Sequence, residues 1–427
     1  MSDQASNTVR AIAPEVSEAP PQVGILAPTR SAQGDIFSKA YSFTRADEAV
    51  AAGMHPYFKP IAEQRGGTVV VDGRKMIITG SNDYLGLTQD SRLKTASRGA
   101  LDNFGTSCTG SRFLTGTLTL HEALERRLAE FLRAESALTF SAGFLGSLAV
   151  LSAIAGRHDI FYFDRENHAC LYDGARLSYG TLRKYEHHNL DELEALLARD
   201  ADKPGGRMIV TDGVFSMTGH IAKLPGIVEL AKRYGARVVV DDAHATGVLG
   251  ATGRGTAEHY GLEGEIDLIL GTFSKSFASV GGFVSGPREV VNYIKHKARP
   301  FIFTAALPAM QMAAALEALE IMDAESEHRE TLWRNVLQLR NGMNELGFDT
   351  LGSETPIVPV LTGDDDLTMA FWKGLWDDGV FTTPALPPSV PVGHSIIRTS
   401  VNANHTPEQL GQLLESFSHI GRSLGVI

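Results

Sequence analysis

Apolar and polar positions change period several times along the chain, and each change marks an element. "GGTVVVDGRKMIITGSNDYLGL" (66–87) has two short β-like runs on either side of "DGR", which predicts a hairpin. A regular alternation comes next: helical "HEALERRLAEFLRA" (121–134), strand "SALTF" (136–140), helix "GFLGSLAVLSAIAG" (143–156), strand "DIFYFD" (159–164) and helix "LDELEALLARD" (190–200). Strand "RMIVTDG" (207–213), helix "LPGIVELAKRYG" (224–235) and strands "ARVVVDDA" (236–243) and "DLILG" (267–271) complete it. Unbroken apolar strands between amphipathic helices predict a mostly parallel sheet covered on both faces, a three-layer α/β/α domain. Beyond "RPFIFTAALPAM" (299–310) the pattern becomes one long helix over 308–345, short strands and the helical "TPEQLGQLLESFSHIGRSLG" (406–425), as expected of a smaller α+β C-terminal domain. The expected division is a flexible tail (1–35), an arm (36–65), a large α/β domain (66–310) and a small α+β domain (311–427).

Composition narrows the function classes. The net charge is −11, from 39 Lys+Arg against 50 Asp+Glu, and no dense basic block could track a phosphate backbone, so nucleic acid is not an expected partner. Cys108 and Cys170 are the two cysteines, too few for a disulfide framework or a Cys-rich zinc site. With no partner at motif spacing, both read as buried small residues in a reducing, cytoplasmic protein. The first residues lack an apolar leader and nowhere do 18 apolar residues run together, so neither classical secretion nor a membrane span is expected.

Ligands of open α/β sheets sit beyond the carboxyl ends of the strands, so the residues just after each strand are the candidates for chemistry. There stand "SAGF" with Gly143 and Phe144, "RENHA" with His168, "VFSMTG" with Ser216, "DDAHATG" with Asp241 and His244, and "TFSKS" with Thr272, Ser274 and Lys275. A single strand-end lysine is usually a solvated charge. Grouped with two histidines and a carboxylate it suits pyridoxal 5′-phosphate (PLP), an aldehyde that needs an amine for imine formation and an acid on its pyridine nitrogen. Asp241 fits the acid, His244 the ring hydroxyl, His168 the exposed ring face, and the helix start at Gly143 and Phe144 the phosphate. "DDAH" also fits a divalent metal, as in a metal-dependent hydrolase, but no further acidic or histidine cluster completes a first shell, and no metal is expected. "GTFSKS" lacks the ending of a P-loop.

"SNDYLGL" (81–87), "TGSRFLTGT" (109–117), "TDGVFSMTG" (211–219), "VDDAHATGVLGATGRG" (240–255) and "GTFSKSFASVGG" (271–282) resemble, in order, the α-oxoamine synthases, a PLP-dependent family of fold type I. The likeness runs from about residue 50 to the C-terminus. Within the family, "ARPFIFTAALP" (298–308), "LPPSVPVG" (386–393) and "IIRTSVNANHTPEQL" (396–410) are most similar to the soluble bacterial serine palmitoyltransferase group, whereas "SNDYLGL" and "VDDAHATGV" are closer to 8-amino-7-oxononanoate synthases. The resemblance implies the catalytic set Lys275, His168, Asp241 and His244. It implies PLP contacts from Gly143, Phe144, Ser216, Thr272 and Ser274, with Thr304 reaching over from the second subunit of a homodimer. It assigns Asn82, His168, Ser389 and Arg398 to substrate, Arg398 gripping a carboxylate.

The implied reaction is decarboxylative condensation of an amino acid with an acyl-CoA or an acyl carrier protein, L-serine and palmitoyl-CoA giving 3-oxosphinganine, whose lipid character would allow peripheral membrane contact. Alanine with a pimeloyl donor, or glycine with acetyl-CoA, are the alternatives within the family. Two positions depart from the serine palmitoyltransferase pattern: Leu386 stands where that group has arginine, and Asn82 where its bacterial members have an aromatic residue. A non-catalytic partner subunit would be expected to lack the lysine, which is present.

Overall fold

The computed structural model describes residues 35–427, so the expected flexible tail lies, but for Asp35, outside the described residues. Residues 35–55 form a unit of their own with two short helices, Ser38–Tyr41 and Arg45–Ala51. Residues 56–427 form the other unit, which contains three sheets.

The first sheet begins with β1 (Ile61–Arg65), β2 (Thr68–Val71) and β3 (Arg74–Ile78). The predicted hairpin is present: Asp72 and Gly73 both take positive φ, 51° and 71°, the left-handed pair that a two-residue turn requires. The central sheet comprises β4 (Ser136–Phe140), β5 (Ile160–Asp164), β6 (Thr181–Tyr185), β7 (Arg207–Asp212), β8 (Arg237–Asp241), β9 (Leu268–Thr272) and β10 (Gly282–Gly286), in the order β4-β10-β9-β8-β7-β5-β6. Only β10 is antiparallel to its neighbours, β4 and β9. The carboxyl ends of β4, β5, β7, β8 and β9 therefore share one edge, which is where the singled-out residues fall. The last strands are β11 (Ile357–Gly363), β12 (Val380–Phe381), β13 (Thr383–Ala385) and β14 (Ser395–Ser400). β12 pairs in parallel with β3, carrying the hairpin onto the C-terminal part of the chain, while β11, β14 and β13 make an antiparallel sheet.

Period-two alternation explains the three layers. Phe161, Phe163, Val210 and Val239 face one buried cluster with the helices Gly143–Ile154 and Ala169–Leu177. Their neighbours Ile160, Tyr162, Ile209, Val238 and Val240 face a second with the helices Leu190–Arg199 and Leu224–Tyr234. The one long helix expected over 308–345 is two, Ala309–Ala324 and Glu327–Leu346, broken at the extended Glu325. The first is buried along most of its length and the second exposes polar faces, so the chain must change direction between them. Among the described residues no helix is long and apolar enough to cross a membrane.

The antiparallel β10 locks the edge beside β9. Phe283 is 1% exposed and its ring lies against Gly271, where a Cβ would come within 2.3 Å of it. Phe283→Ala should lower unfolding stability by about 3–5 kcal/mol, the usual cost of emptying a buried ring site; the urea midpoints of the two proteins measure it.

Candidate active site

A cavity of about 310 Å³ opens at the shared carboxyl edge, and Gly143, Phe144, His168, Asp241, His244, Thr272, Ser274 and Lys275 all line it. Each arrives by its strand. Asp241 ends β8, Thr272 ends β9, and Lys275 sits in the turn between β9 and β10. His168 caps the helix Ala169–Leu177, its Nδ1 accepting the Cys170 N–H at 3.3 Å. Its own N–H donates to the carboxylate of Asp212 at 3.2 Å, and the edge of Phe144 meets its ring with centroids 6.4 Å apart.

Asp212 is the acid that sequence reasoning missed. It ends β7 as Asp241 ends β8, and the two are direct neighbours in register. The parallel placement of two strand-end aspartates was the available signal. Burial first, and then Asp241, push the Asp212 carboxyl well above its ordinary range.

Burial is also the largest influence on Lys275, lowering its ammonium from 10.5 to about 8; Asp241 and Asp212 oppose the shift and Arg398 adds to it. Burial likewise lowers His168 and, with Lys275 contributing, takes His244 well below 6.5, so both rings are neutral near pH 7.

A second group adjoins. Arg398 on β14 is buried and held through each of its three nitrogens: Nε donates to the Ser216 carbonyl at 2.7 Å, one terminal nitrogen to Ser400 Oγ at 2.8 Å, and the other to Asn82 Oδ1 at 3.0 Å. Tyr84, also unassigned from sequence, sits 2.6 Å from His244 Nδ1 and 3.4 Å from Asn82 Oδ1. Burial lifts its phenol to about 12, so the hydroxyl keeps its proton. No local pattern announces a contact between residues 160 apart in sequence.

Two predicted residues lie elsewhere. Ser389 is exposed in the loop between β13 and β14, its N–H bonded to the Leu386 carbonyl at 2.9 Å. Thr304 lines a separate crevice with Arg112 and Phe301. The cysteine expectation needs correcting. Cys108 is only half-buried, while the buried Cys170 lines the cavity with its sulfur 2.9 Å from His168 Nδ1. In "DDAH", Asp242 turns from the cavity and accepts from the Thr256 hydroxyl at 2.6 Å and N–H at 2.9 Å, so both oxygens are engaged by Thr256.

The residues fit PLP. A Cβ on Gly143 would stand 2.9 Å from Thr272, so only glycine lets the helix start approach β9 this closely. No side chain caps that helix, which leaves its first N–H groups free for a phosphate. Thr272 Oγ1 and Ser274 Oγ lie 2.9 Å apart at the same place.

The chain matches the family model for class I and II aminotransferases over residues 74–417. It is 46% identical to serine palmitoyltransferase of Bacteriovorax stolpii over 382 residues, 90% of this chain and 91% of that one. It is 41% identical to 8-amino-7-oxononanoate synthase of Thermoanaerobacter pseudethanolicus, over 90% of this chain and 97% of the relative. A solved serine palmitoyltransferase from S. paucimobilis, with a bound PLP–myriocin aldimine, superposes with a TM-score of 0.89 at 34% identity, covering 92% of this chain and 100% of its own. The chain belongs to the class I and II aminotransferase family of PLP-dependent enzymes, in its α-oxoamine synthase branch, whose members are acyltransferases.

With the Lys275 ammonium at about 8 rather than 10.5, the free amine at pH 7 is about 300-fold more abundant than for an ordinary lysine. In cofactor-free protein, acetylation of Lys275 followed by peptide mass spectrometry should titrate with a midpoint near pH 8. Asp241→Asn removes a charge that favours the ammonium and should move that midpoint lower.

Proposed function

We propose that the protein condenses L-serine with palmitoyl-CoA to give 3-oxosphinganine, CoA and CO2. The observation that carries the reading is the immobilised Arg398 guanidinium beside the Lys275 cavity, three of its N–H groups already fixed by Ser216, Ser400 and Asn82. A buried cation held this way is suited to an amino acid carboxylate, and it orients the substrate without being ordered at the moment of binding. Support for serine and a long acyl chain comes from the serine palmitoyltransferases among its relatives, at 46% and 42% identity.

When bound, PLP supplies an electron sink for negative charge at the amino acid Cα. Asp241 would hold the pyridine nitrogen, His244 the ring hydroxyl with Ser216 near it, and Thr272, Ser274 and the backbone of Gly143 and Phe144 the phosphate. Lys275 Nζ, partly neutral at physiological pH, takes the Cα proton and returns one after CO2 has left. His168 lines the cavity with its ring met by the edge of Phe144, and would reach from there toward the substrate carboxylate. Tyr84 holds His244 by Nδ1; with the phenol donating, the hydrogen of that ring stays on Nε2.

Thr304 belongs to this reading through a second copy of the chain. Phe303 is 75% exposed and Leu114 76%, apolar surface that a homodimer would cover, bringing Thr304 to the partner's cofactor. Ser389, on its exposed loop, would line the substrate path. The cytoplasm is the compartment this reading assigns to the enzyme.

Alanine with a pimeloyl donor is the second reading, favoured by Leu386, where the serine palmitoyltransferase group has arginine, and by the oxononanoate synthase relatives. Supplying L-serine, L-alanine or glycine with palmitoyl-, pimeloyl- or acetyl-CoA and weighing the products separates the two. L-serine with palmitoyl-CoA should give the main amino ketone, and a main product from alanine would overturn the reading. Lys275→Ala should abolish turnover with every pair. Arg398→Lys, which keeps charge but loses the fork, should raise KM for the amino acid about 10- to 100-fold and leave KM for the acyl-CoA nearly unchanged.

A further inference from the structure

The loops after β6 and β7 gather three imidazoles that do not line the Lys275 cavity. His187 and His188 come just after β6, and His220 closes the tight loop after β7, its carbonyl accepting the Phe215 N–H at 3.0 Å. All three are half-buried, and one ring nitrogen from each lies within 4.8 Å of the other two.

Their partners fix where the hydrogens stand. His187 Nδ1 is 3.0 Å from the Asp164 carboxylate, an acceptor, so Nδ1 carries a hydrogen. His220 Nε2 is 2.6 Å from the Leu351 carbonyl, which can only accept, so Nε2 carries one too. The nitrogens left over, His187 Nε2 and His220 Nδ1, face each other 2.9 Å apart. In neutral rings both present lone pairs, an arrangement that needs a shared cation. His188 Nε2 is buried with no hydrogen-bond partner, and one nitrogen of this ring lies within 4.8 Å of those of the other two. Glu166 brings a carboxylate oxygen to 3.8 Å from His187 Nε2.

We infer that His187, His188 and His220 form a binding site for a divalent transition-metal ion, with Glu166 available as the fourth ligand. Three imidazoles and a carboxylate match Zn2+. The hydrogen bonds behind two of the rings, to Asp164 and to the Leu351 carbonyl, are the outer-shell contacts that orient metal-binding histidines. Tetrahedral zinc with bonds of about 2.0–2.1 Å sets its ligand nitrogens about 3.3 Å apart, so the facing pair widens by a few tenths of an ångström. His188, stacked on His187 with centroids 3.9 Å apart, turns its ring to aim at the common ion. The ion would fasten three loops together, including the one whose Ser216 carbonyl holds Arg398.

The test uses the untagged, PLP-loaded enzyme, stripped with a chelator, dialysed and titrated with ZnCl2 against a chromophoric competitor. One Zn2+ should bind per chain at sub-micromolar free ion, raising the thermal midpoint by a few degrees. Co2+ should give the visible bands of a tetrahedral site. His188→Gln, which removes a nitrogen that bonds to nothing else in the protein, should weaken Zn2+ at least about 100-fold; His220→Gln is the second variant should the first fail to fold. No stoichiometric uptake, or equal affinity in the variant, overturns the assignment.

Discussion

Two carboxylates and one amine share a nearly dry space at the end of the central sheet, and most of the site depends on that. Register puts Asp212 and Asp241 side by side on β7 and β8, and the next strand delivers Lys275 to them. Burial works against charge on both Asp212 and Lys275, raising the one and lowering the other. The arrangement persists because the acids favour the ammonium while Arg398 and burial oppose it. An amine balanced this way can both form an imine and exchange a proton, whereas an isolated surface lysine near pH 7 is almost wholly ammonium and has little free amine for either task.

The constraint reaches back into the backbone. For the helix start at Gly143 to reach the end of β9, Thr272 must touch a residue without a Cβ, and Gly282 on β10 must also lie against Gly143, where a Cβ would come within 2.4 Å of its Cα. Antiparallel β10 makes this possible by filling the gap between β4 and β9. The phosphate cradle is thus a product of close strand packing, and the apolar face of Phe283 on the same strand is part of what holds it.

How far the sequence could be read depends on the range of the interactions involved. The strands β4, β5, β7 and β8 were legible because burial on both faces leaves an unbroken apolar run, and the hairpin because Asp72-Gly73 has few other uses. β6, "TLRKY", hid because an edge strand with half-exposed residues carries no such run. β10 hid behind glycines that serve close approach. Lys275, Asp241 and His168 stood out by position after strands. Asp212 stood inside "TDGVFSMTG" without a role, because its significance is register with Asp241, a property of paired strands. Tyr84 and Cys170 acquire theirs through contacts with His244 and His168 that no local pattern encodes.

Arg398, Asn82, Tyr84 and His244 then form one line of polar contacts from the proposed carboxylate grip to the cofactor cavity. Asn82 is its centre: Oδ1 accepts from Arg398 at 3.0 Å and lies 3.4 Å from the Tyr84 hydroxyl, whose one hydrogen goes to the nearer His244 Nδ1. An aromatic residue at 82, as in the soluble bacterial serine palmitoyltransferase group, has no such carbonyl, so Arg398 there would need another partner. The departure at 82 and that at Leu386 therefore concern one function, the seating of the amino acid. They bear on which side chain the substrate carries far more than on whether the chemistry occurs, since the acid pair around Lys275 is built from β7, β8 and the turn after β9, and neither position contributes to it.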